Sequence, residues 1–544
     1  MKYILALLLL GSQLSFAQKI SKPDKKIVAN LKTHINYLAD DKLEGRRTGT
    51  PGEKLAYEYI TEQFKNAGLV PVQANAGFLQ EFEVNDGKEI MKETSFSVNE
   101  KALTLNEDFF PLAYSANAAV QCDVYMSLKE QGEIWFLDLG ELLNQNSGSP
   151  HFDIQDAIIK KAADFAKKGA TGMILYNNSS IADNIKFDAK DKTENARIPV
   201  IYLSKQAKAK YLADEISMHT LKLTVNLEVK KRTGHNVIGF INNNAATTII
   251  LGAHYDHLGY GEDHNSLYTG KTAMIHNGAD DNASGTAALI ELGKMLRSSK
   301  MKKHNYLFIA FSGEELGLYG SKYFVEHPTI NLAGVNYMIN MDMLGRLNDS
   351  THGLSIGGYG TSPSWNRLIG TSNQHLKIKF DSSGTGPSDH TSFYRKDIPV
   401  LFFFTGTHMD YHKPSDDADK INYTGELYVI KLVYDIIKSS AGMDRLAFTK
   451  TKEANMGKST FKVSLGIMPD YTFDGNGVHV DGVSAGKAAE KAGIKTGDVL
   501  FQLGDHKFND VQTYMDALNK FNKGDATKVK LIRGKEEITL DVVF

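Results

Sequence analysis

Four apolar runs in the middle of this chain each lead to a residue able to bind a metal, and that arrangement restricts the fold more than any other feature. Thr248-Ile249-Ile250-Leu251-Gly252-Ala253 leads into His254-Tyr255-Asp256, and Tyr306-Leu307-Phe308-Ile309-Ala310-Phe311 leads into Ser312-Gly313-Glu314-Glu315. Tyr337-Met338-Ile339-Asn340-Met341 leads into Asp342, and Val400 to Phe404 leads, after a glycine-containing loop, to Tyr411-His412. Asp281 differs in kind, because it precedes a helix instead of following a strand. In an open α/β sheet the carboxyl ends of parallel strands gather along one edge, where ligands bind. Residues distant in sequence therefore meet there. The expected architecture is α/β: a mixed, largely parallel sheet flanked by helices.

His254, Asp281, Glu315, Asp342 and His412 are the candidate metal ligands. Two imidazoles and three carboxylates exceed the needs of one catalytic zinc, which takes three protein ligands plus water. They suit two ions if Asp281 bridges. Asp256, two residues beyond His254 on an extended segment, points the same way and is expected to accept from the second ring nitrogen. In Gly278-Ala279-Asp280-Asp281-Asn282-Ala283-Ser284-Gly285 one aspartate suffices to cap the following helix, so Asp280 is read as a capping or supporting group. Adjacent residues diverge, so Glu314 and Glu315 cannot easily bind one ion. Glu315 is assigned as ligand and Glu314 as the general base toward an activated water. Tyr411, beside His412, is placed to donate to a developing oxyanion. His257, His264, His276, His390 and His408 are taken as surface, supporting or substrate-contact residues, and the role of Asp389-His390 is left open.

The rest of the chain divides by texture. Lys2, the apolar stretch Ile4 to Leu10 and Ser15-Phe16-Ala17 read as a secretory signal over residues 1–17, too short to span a bilayer. The expected product is exported to the periplasm or the medium. The lone Cys122 allows no internal disulfide. A first part of the main domain occupies 18–112, with helical apolar spacing at Ile27, Leu31, Ile35 and Leu38. Next come the turn Glu44 to Gly52 and a second helix bearing Ala56, Tyr59, Ile60, Phe64 and Leu69. A small α/β module without metal-type clusters covers 113–232, and the main domain resumes over 233–445. A polar linker at 446–459 precedes a β-rich tail at 460–544. With 42% hydrophobic residues and a net charge of −2, the chain offers no electrostatic footprint for nucleic acid or an anionic membrane.

These motifs resemble the co-catalytic dizinc aminopeptidases that also include glutamate carboxypeptidase. The likeness rests on Gly252 to Asp256, Gly278 to Gly285, Ser312 to Gly317, Asn340 to Met343, Ser388-Asp389-His390 and Tyr411-His412. It implies a zinc-peptidase fold with two Zn2+ ions, one held by His254 and Asp342 and the other by Glu315 and His412, with Asp281 between them. It implies Glu314 as base and Tyr411 as a stabiliser of the substrate carbonyl oxygen. It makes the insert similar to a protease-associated domain. The tail resembles a PDZ domain with Ser464 to Ile467 as carboxylate-binding loop, a site for an extended peptide C-terminus. The implied activity is removal of N-terminal residues from peptides. A carboxypeptidase or dipeptidase with the same centre, and a dead peptide-binding scaffold, are the alternatives. The segment Gly259 to His276 is longer and more polar than the shortest family forms and is expected to wall the pocket.

Overall fold

The computed structural model describes residues 21–72, 77–145, 154–191, 193–369, 375–451, 463–469, 473, 475–483, 486–509 and 511–544. The expected signal at 1–17 and most of the expected linker lie outside these residues.

The four apolar runs are strands of one eight-stranded sheet. Its order is Leu79–Ile90, Leu227–Ile241, His304–Phe311, Thr247–His254, Val335–Met341, Val400–Phe404, Gly353–Gly357, Lys377–Phe380. The four central strands, His304–Phe311 to Val400–Phe404, run parallel to one another. The flanking pairings of Leu227–Ile241 and Gly353–Gly357 with this centre are antiparallel. Seven consecutive residues of Val335–Met341 are buried. Burial on both faces is what makes a parallel strand read as an unbroken apolar run.

Helices cover the faces. Gly285–Ser298 buries most of its length, including Ala287, Ala288, Leu289, Ile290 and Leu292. The N-terminal helices Lys22–Leu38 and Pro51–Asn66 add Leu31, Ile35, Leu38, Ala56, Ile60 and Phe64 to the same core. Ser21 and Thr50 cap them by accepting from Asp24 N and Glu53 N. Truncating a side chain at the centre of this core, such as fully buried Leu251, removes contacts costing about 2–5 kcal/mol.

The insert consists of two four-stranded sheets; one apolar cluster takes Phe96 and Leu223 from one sheet and Phe136 and Ile174 from the other, and a second packs Ile158 and Phe165 of the helix Ile154–Lys167 on Trp135 and Met173. Its strands begin upstream of residue 113: Ser95–Val98 pairs with Met218–Val225, and Phe109–Pro111 pairs with Val200–Leu203. Residues 95–111 thus pair with strands of the segment expected at 113–232. Their short alternating runs carry no local mark of which sheet they join. The tail folds around Leu465, Val478, Leu500, Val529 and Leu531, with helices Ala488–Ala492 and Val511–Leu518. Among the described residues no helix is long and apolar enough to cross a membrane.

Candidate metal centre

All five expected ligands converge at the carboxyl edge of the parallel strands. His254 Nε2 lies 3.3 Å from Asp281 Oδ1 and 3.3 Å from Asp342 Oδ1. His412 Nε2 lies 3.3 Å from Asp281 Oδ2 and 3.2 Å from Glu315 Oε2. Asp281 thus turns one oxygen toward each imidazole. Two atoms each about 2.0–2.1 Å from one tetrahedral ion are roughly 3.3–3.4 Å apart. The observed spacing is that of donors sharing an ion, and both groups have it.

A third histidine competes for the second group. His257, Asp281 and Glu315 also lie close enough to hold an ion. However, His257 Nδ1 is 2.8 Å from Glu315 Oε1 and 3.9 Å from Asp281 Oδ2. The first distance is a hydrogen bond, shorter than the separation of co-ligands, and the second is too long. The geometry favours His412 toward the ion and gives His257 the task of holding the other Glu315 oxygen.

The surrounding groups fix ring orientation mainly through the backbone. His254 Nδ1 is 3.2 Å from the main-chain oxygen of Asp256, and His412 Nδ1 is 2.9 Å from that of Asn265. Donation to these carbonyls leaves each Nε2 facing the carboxylates. The Asp256 carboxylate, expected to take that role for His254, is farther away at 3.6 Å. It instead accepts from Thr48 Oγ1 at 3.1 Å and from the backbone N–H of Glu314 at 3.2 Å. Its influence therefore falls on the strand end carrying Glu314. Ser388 Oγ donates to Asp342 Oδ2 at 2.9 Å. Asp280 accepts from Ser284 Oγ and Gly345 N and faces His408, which agrees with a supporting place beside the ligands. The Gly259 to His276 segment contributes more than a wall, since Asn265 orients His412 and its side chain donates to Glu315 O.

Two supporting residues were not singled out from sequence. Asp416 Oδ2 accepts the backbone N–H groups of Asp280 and Asp281 at 3.0 Å each. Burial and nearby Asp280 push its carboxyl up to about 6. Arg46, fully buried, donates to the main-chain oxygens of Tyr255, Leu38, Asn277 and Gly278 at 2.5–2.9 Å. It clamps the loop after His254 to the loop before Asp281. Burial lowers its pKa to about 10 against the pull of Asp281, Asp256 and Asp416. The neighbouring Arg47 completes a partly buried charge cluster with Asp263, Asp86, Lys190 and Arg232, tying the Gly259 to His276 segment to the insert.

Both imidazoles bind protons far more tightly than ordinary histidine. Burial opposes this, but Asp342 and Glu314 around His254, and Glu315 and Asp281 around His412, outweigh it. Burial likewise works to raise the Asp281 and Glu315 carboxyls. Contacts with His254 and His412 hold Asp281 well below its usual range, and His412 holds Glu315 down to about 2. The carboxylates favour protonated rings, whereas a ligating imidazole must be neutral, so proton release opposes zinc uptake. Zinc uptake is therefore expected to release protons near pH 7 and to tighten as pH rises. Calorimetric titration of metal-free protein in buffers of different ionisation enthalpy checks this; a binding heat independent of the buffer contradicts it.

A cavity of about 730 Å³ opens over the ligands and is also lined by Glu314, Tyr411 and His390. Burial, with repulsion from Asp389, Glu315 and Asp342, lifts the Glu314 carboxyl well above its usual range despite attraction from His254. The Tyr411 phenol, raised by burial and by Asp281, Glu315, Glu314 and Asp342, keeps its proton and stacks on His412 at 3.9 Å. His390 packs flat on Phe402 at 4.4 Å, and burial drives it down to about 3, so it is a neutral ring of the cavity wall.

Asp281 thus stands between two imidazole–carboxylate groups, and Glu314 and Tyr411 line the cavity over them. Residues 236–437 match Peptidase family M28 and residues 451–543 match the PDZ domain. The chain carries an M28 peptidase domain followed by a PDZ domain. It is 27% identical over 307 residues to Aminopeptidase YwaD of Bacillus subtilis, covering 51% of this chain and 60% of that protein. It is 25% identical over 427 residues to the Probable lipoprotein aminopeptidase LpqL of Mycobacterium tuberculosis, covering 70% and 77%. Among solved structures, the aminopeptidase from Aneurinibacillus sp. strain AM-1 is similar with 25% identity and a TM-score of 0.42, covering 78% of this chain and 96% of that one.

Proposed function

We propose that this chain is an exported zinc aminopeptidase with two ions per chain, one between His254 and Asp342, one between Glu315 and His412, and Asp281 shared. The observation that carries the reading is the placement of the two Asp281 oxygens, each 3.3 Å from a different imidazole. Zinc held there would lower the pKa of a water molecule and polarise the scissile carbonyl. Glu314, with an elevated proton affinity and no ligand geometry of its own, accepts the proton from the attacking water and returns it to the leaving amine. Tyr411 O–H donates to the carbonyl oxygen as charge develops on it. Asp256 acts as a positioning residue through the Glu314 backbone.

The charge of the cavity favours the amino terminus over the carboxyl terminus. Asp281, Glu314, Glu315, Asp342 and Asp381 line it, and Lys379 is its one Lys or Arg among the described residues. That ammonium is already engaged by the Phe473 carbonyl. With Asp281, Glu315 and Asp342 committed to the ions, Glu314 and Asp381 are the lining acids left to face a substrate ammonium, and no uncommitted Lys or Arg among the described lining residues awaits a substrate carboxylate. The aminopeptidase names of the relatives agree with this choice. A dead scaffold would be expected to have lost ligands, and here all five stand together.

We further propose that the insert acts as a protease-associated domain limiting access, and that the N-terminal residues direct export. Free-amine peptides, N-acetylated peptides and C-terminal amides decide the specificity. Acetylation is expected to abolish cleavage while amidation of a dipeptide leaves it in place; the reverse pattern would assign a carboxypeptidase.

A further inference from the structure

The PDZ domain is seated at the mouth of the catalytic cavity, and the direction of its edge strand gives that contact a function. Strand Ile467–Pro469 is the outer strand of its sheet, paired to Val478–Val483 on one side and to no described strand on the other. Its far end meets the peptidase domain. Pro469 O accepts from Thr407 Oγ1 at 3.4 Å, and Lys379 Nζ donates to Phe473 O. Thr407, Lys379 and Val511, the first residue of the PDZ helix Val511–Leu518, line the same cavity as the metal-site residues.

The near end of the strand is suited to a carboxylate. Gly466 turns at φ +81° with its N–H held by Ser464 Oγ at 3.2 Å, and a main-chain turn of this kind can present its neighbouring N–H groups to an anion. A Cβ at Gly466 would lie 2.3 Å from Lys487 Cβ, which places the stem of an exposed cationic side chain against that turn. A peptide captured by its carboxylate at this turn and added along the open edge must send its preceding residues toward Pro469. Proline has no N–H to continue a ladder, so pairing stops there. Beyond that point lies the cavity.

We propose that the PDZ domain binds the C-terminal carboxylate of the same peptide whose N-terminus enters the metal centre. The substrate class is then short peptides with a free carboxylate, long enough to reach both sites. The inference rests on the aminopeptidase reading.

The test uses zinc-loaded full-length protein and paired peptides of about two to ten residues, each extended residue spanning ~3.3 Å, as free acids and as C-terminal amides. An aminoacyl p-nitroanilide serves as internal standard. For dipeptides the acid-to-amide ratio of kcat/KM is expected near unity. At bridging lengths it should rise to about tenfold, through KM with kcat unchanged, as a charge-assisted contact warrants. Lys487→Glu should return the ratio to unity, while Lys487→Arg keeps it. A ratio of unity at every length, with the anilide hydrolysed, overturns the bridging proposal and leaves the aminopeptidase reading intact. An inert anilide together with cleavage of N-acetylated peptides overturns both. Full preference persisting in the Lys487→Glu variant removes the assigned carboxylate site.

Discussion

Glu314→Gln is expected to lower kcat by about 10³-fold, the range lost when a positioned general base is removed, while zinc content and thermal stability stay at parental values. The expectation follows from what Glu314 does not touch. Its carboxylate belongs to neither imidazole group, so the amide change leaves every donor in place. It is nonetheless above the cavity floor, with a proton affinity raised by burial and by Asp389, Glu315 and Asp342. The amide is isosteric but cannot accept a proton. KM should change little, because the same shape meets the substrate. Steady-state kinetics with elemental analysis on one preparation separate the cases. Parental turnover would remove Glu314 as base, and loss of zinc would make it a ligand.

Asp281→Ala is expected to be more damaging than Glu314→Gln. One substitution takes a donor from both groups, since Oδ1 faces His254 and Oδ2 faces His412. It also takes from the two imidazoles a carboxylate that their contacts hold well below its usual range. Zinc content should fall from two ions toward none, with activity at background. Glu315→Ala and Asp342→Ala each touch one group and should each retain the other ion. The contrast between two ions lost and one ion lost is the diagnostic. If Asp281→Ala keeps one ion as firmly as Glu315→Ala does, Asp281 does not bridge.

Where a residue acts through its own side chain at the end of an apolar strand, the sequence is readable. His254, Glu315 and Asp342 follow strands whose unbroken apolar runs come from burial on both faces, and such strands deliver their next residues to one edge. Asp281 stood out by its small neighbours before a helix, and the fold places it between His254 and His412. The supporting layer is different, because much of it works through main-chain atoms or over large sequence separations. The carbonyls of Asp256 and Asn265 orient the rings, and any residue would supply them. Arg46 clamps four carbonyls from inside a turn that reads only as glycine-rich and charged. Asp416 sits in a polar loop where acids are ordinary, and only the fold brings it under Asp280 and Asp281. The partners of residues 95–111 were hidden for a related reason. Strand pairs such as Ser95–Val98 with Met218–Val225 join segments more than a hundred residues apart, and alternation alone does not name the partner. The seat of the PDZ domain against the cavity likewise depends on tertiary contacts that leave no motif.

Anomalous diffraction at the zinc absorption edge, from crystals of the zinc-loaded protein, goes to the centre of this account. Two peaks about 3.5–4 Å apart are expected, one beside His254 and Asp342, one beside Glu315 and His412, with an Asp281 oxygen on each. A single peak under saturating zinc, or a second one coordinated by His257 instead of His412, would contradict it.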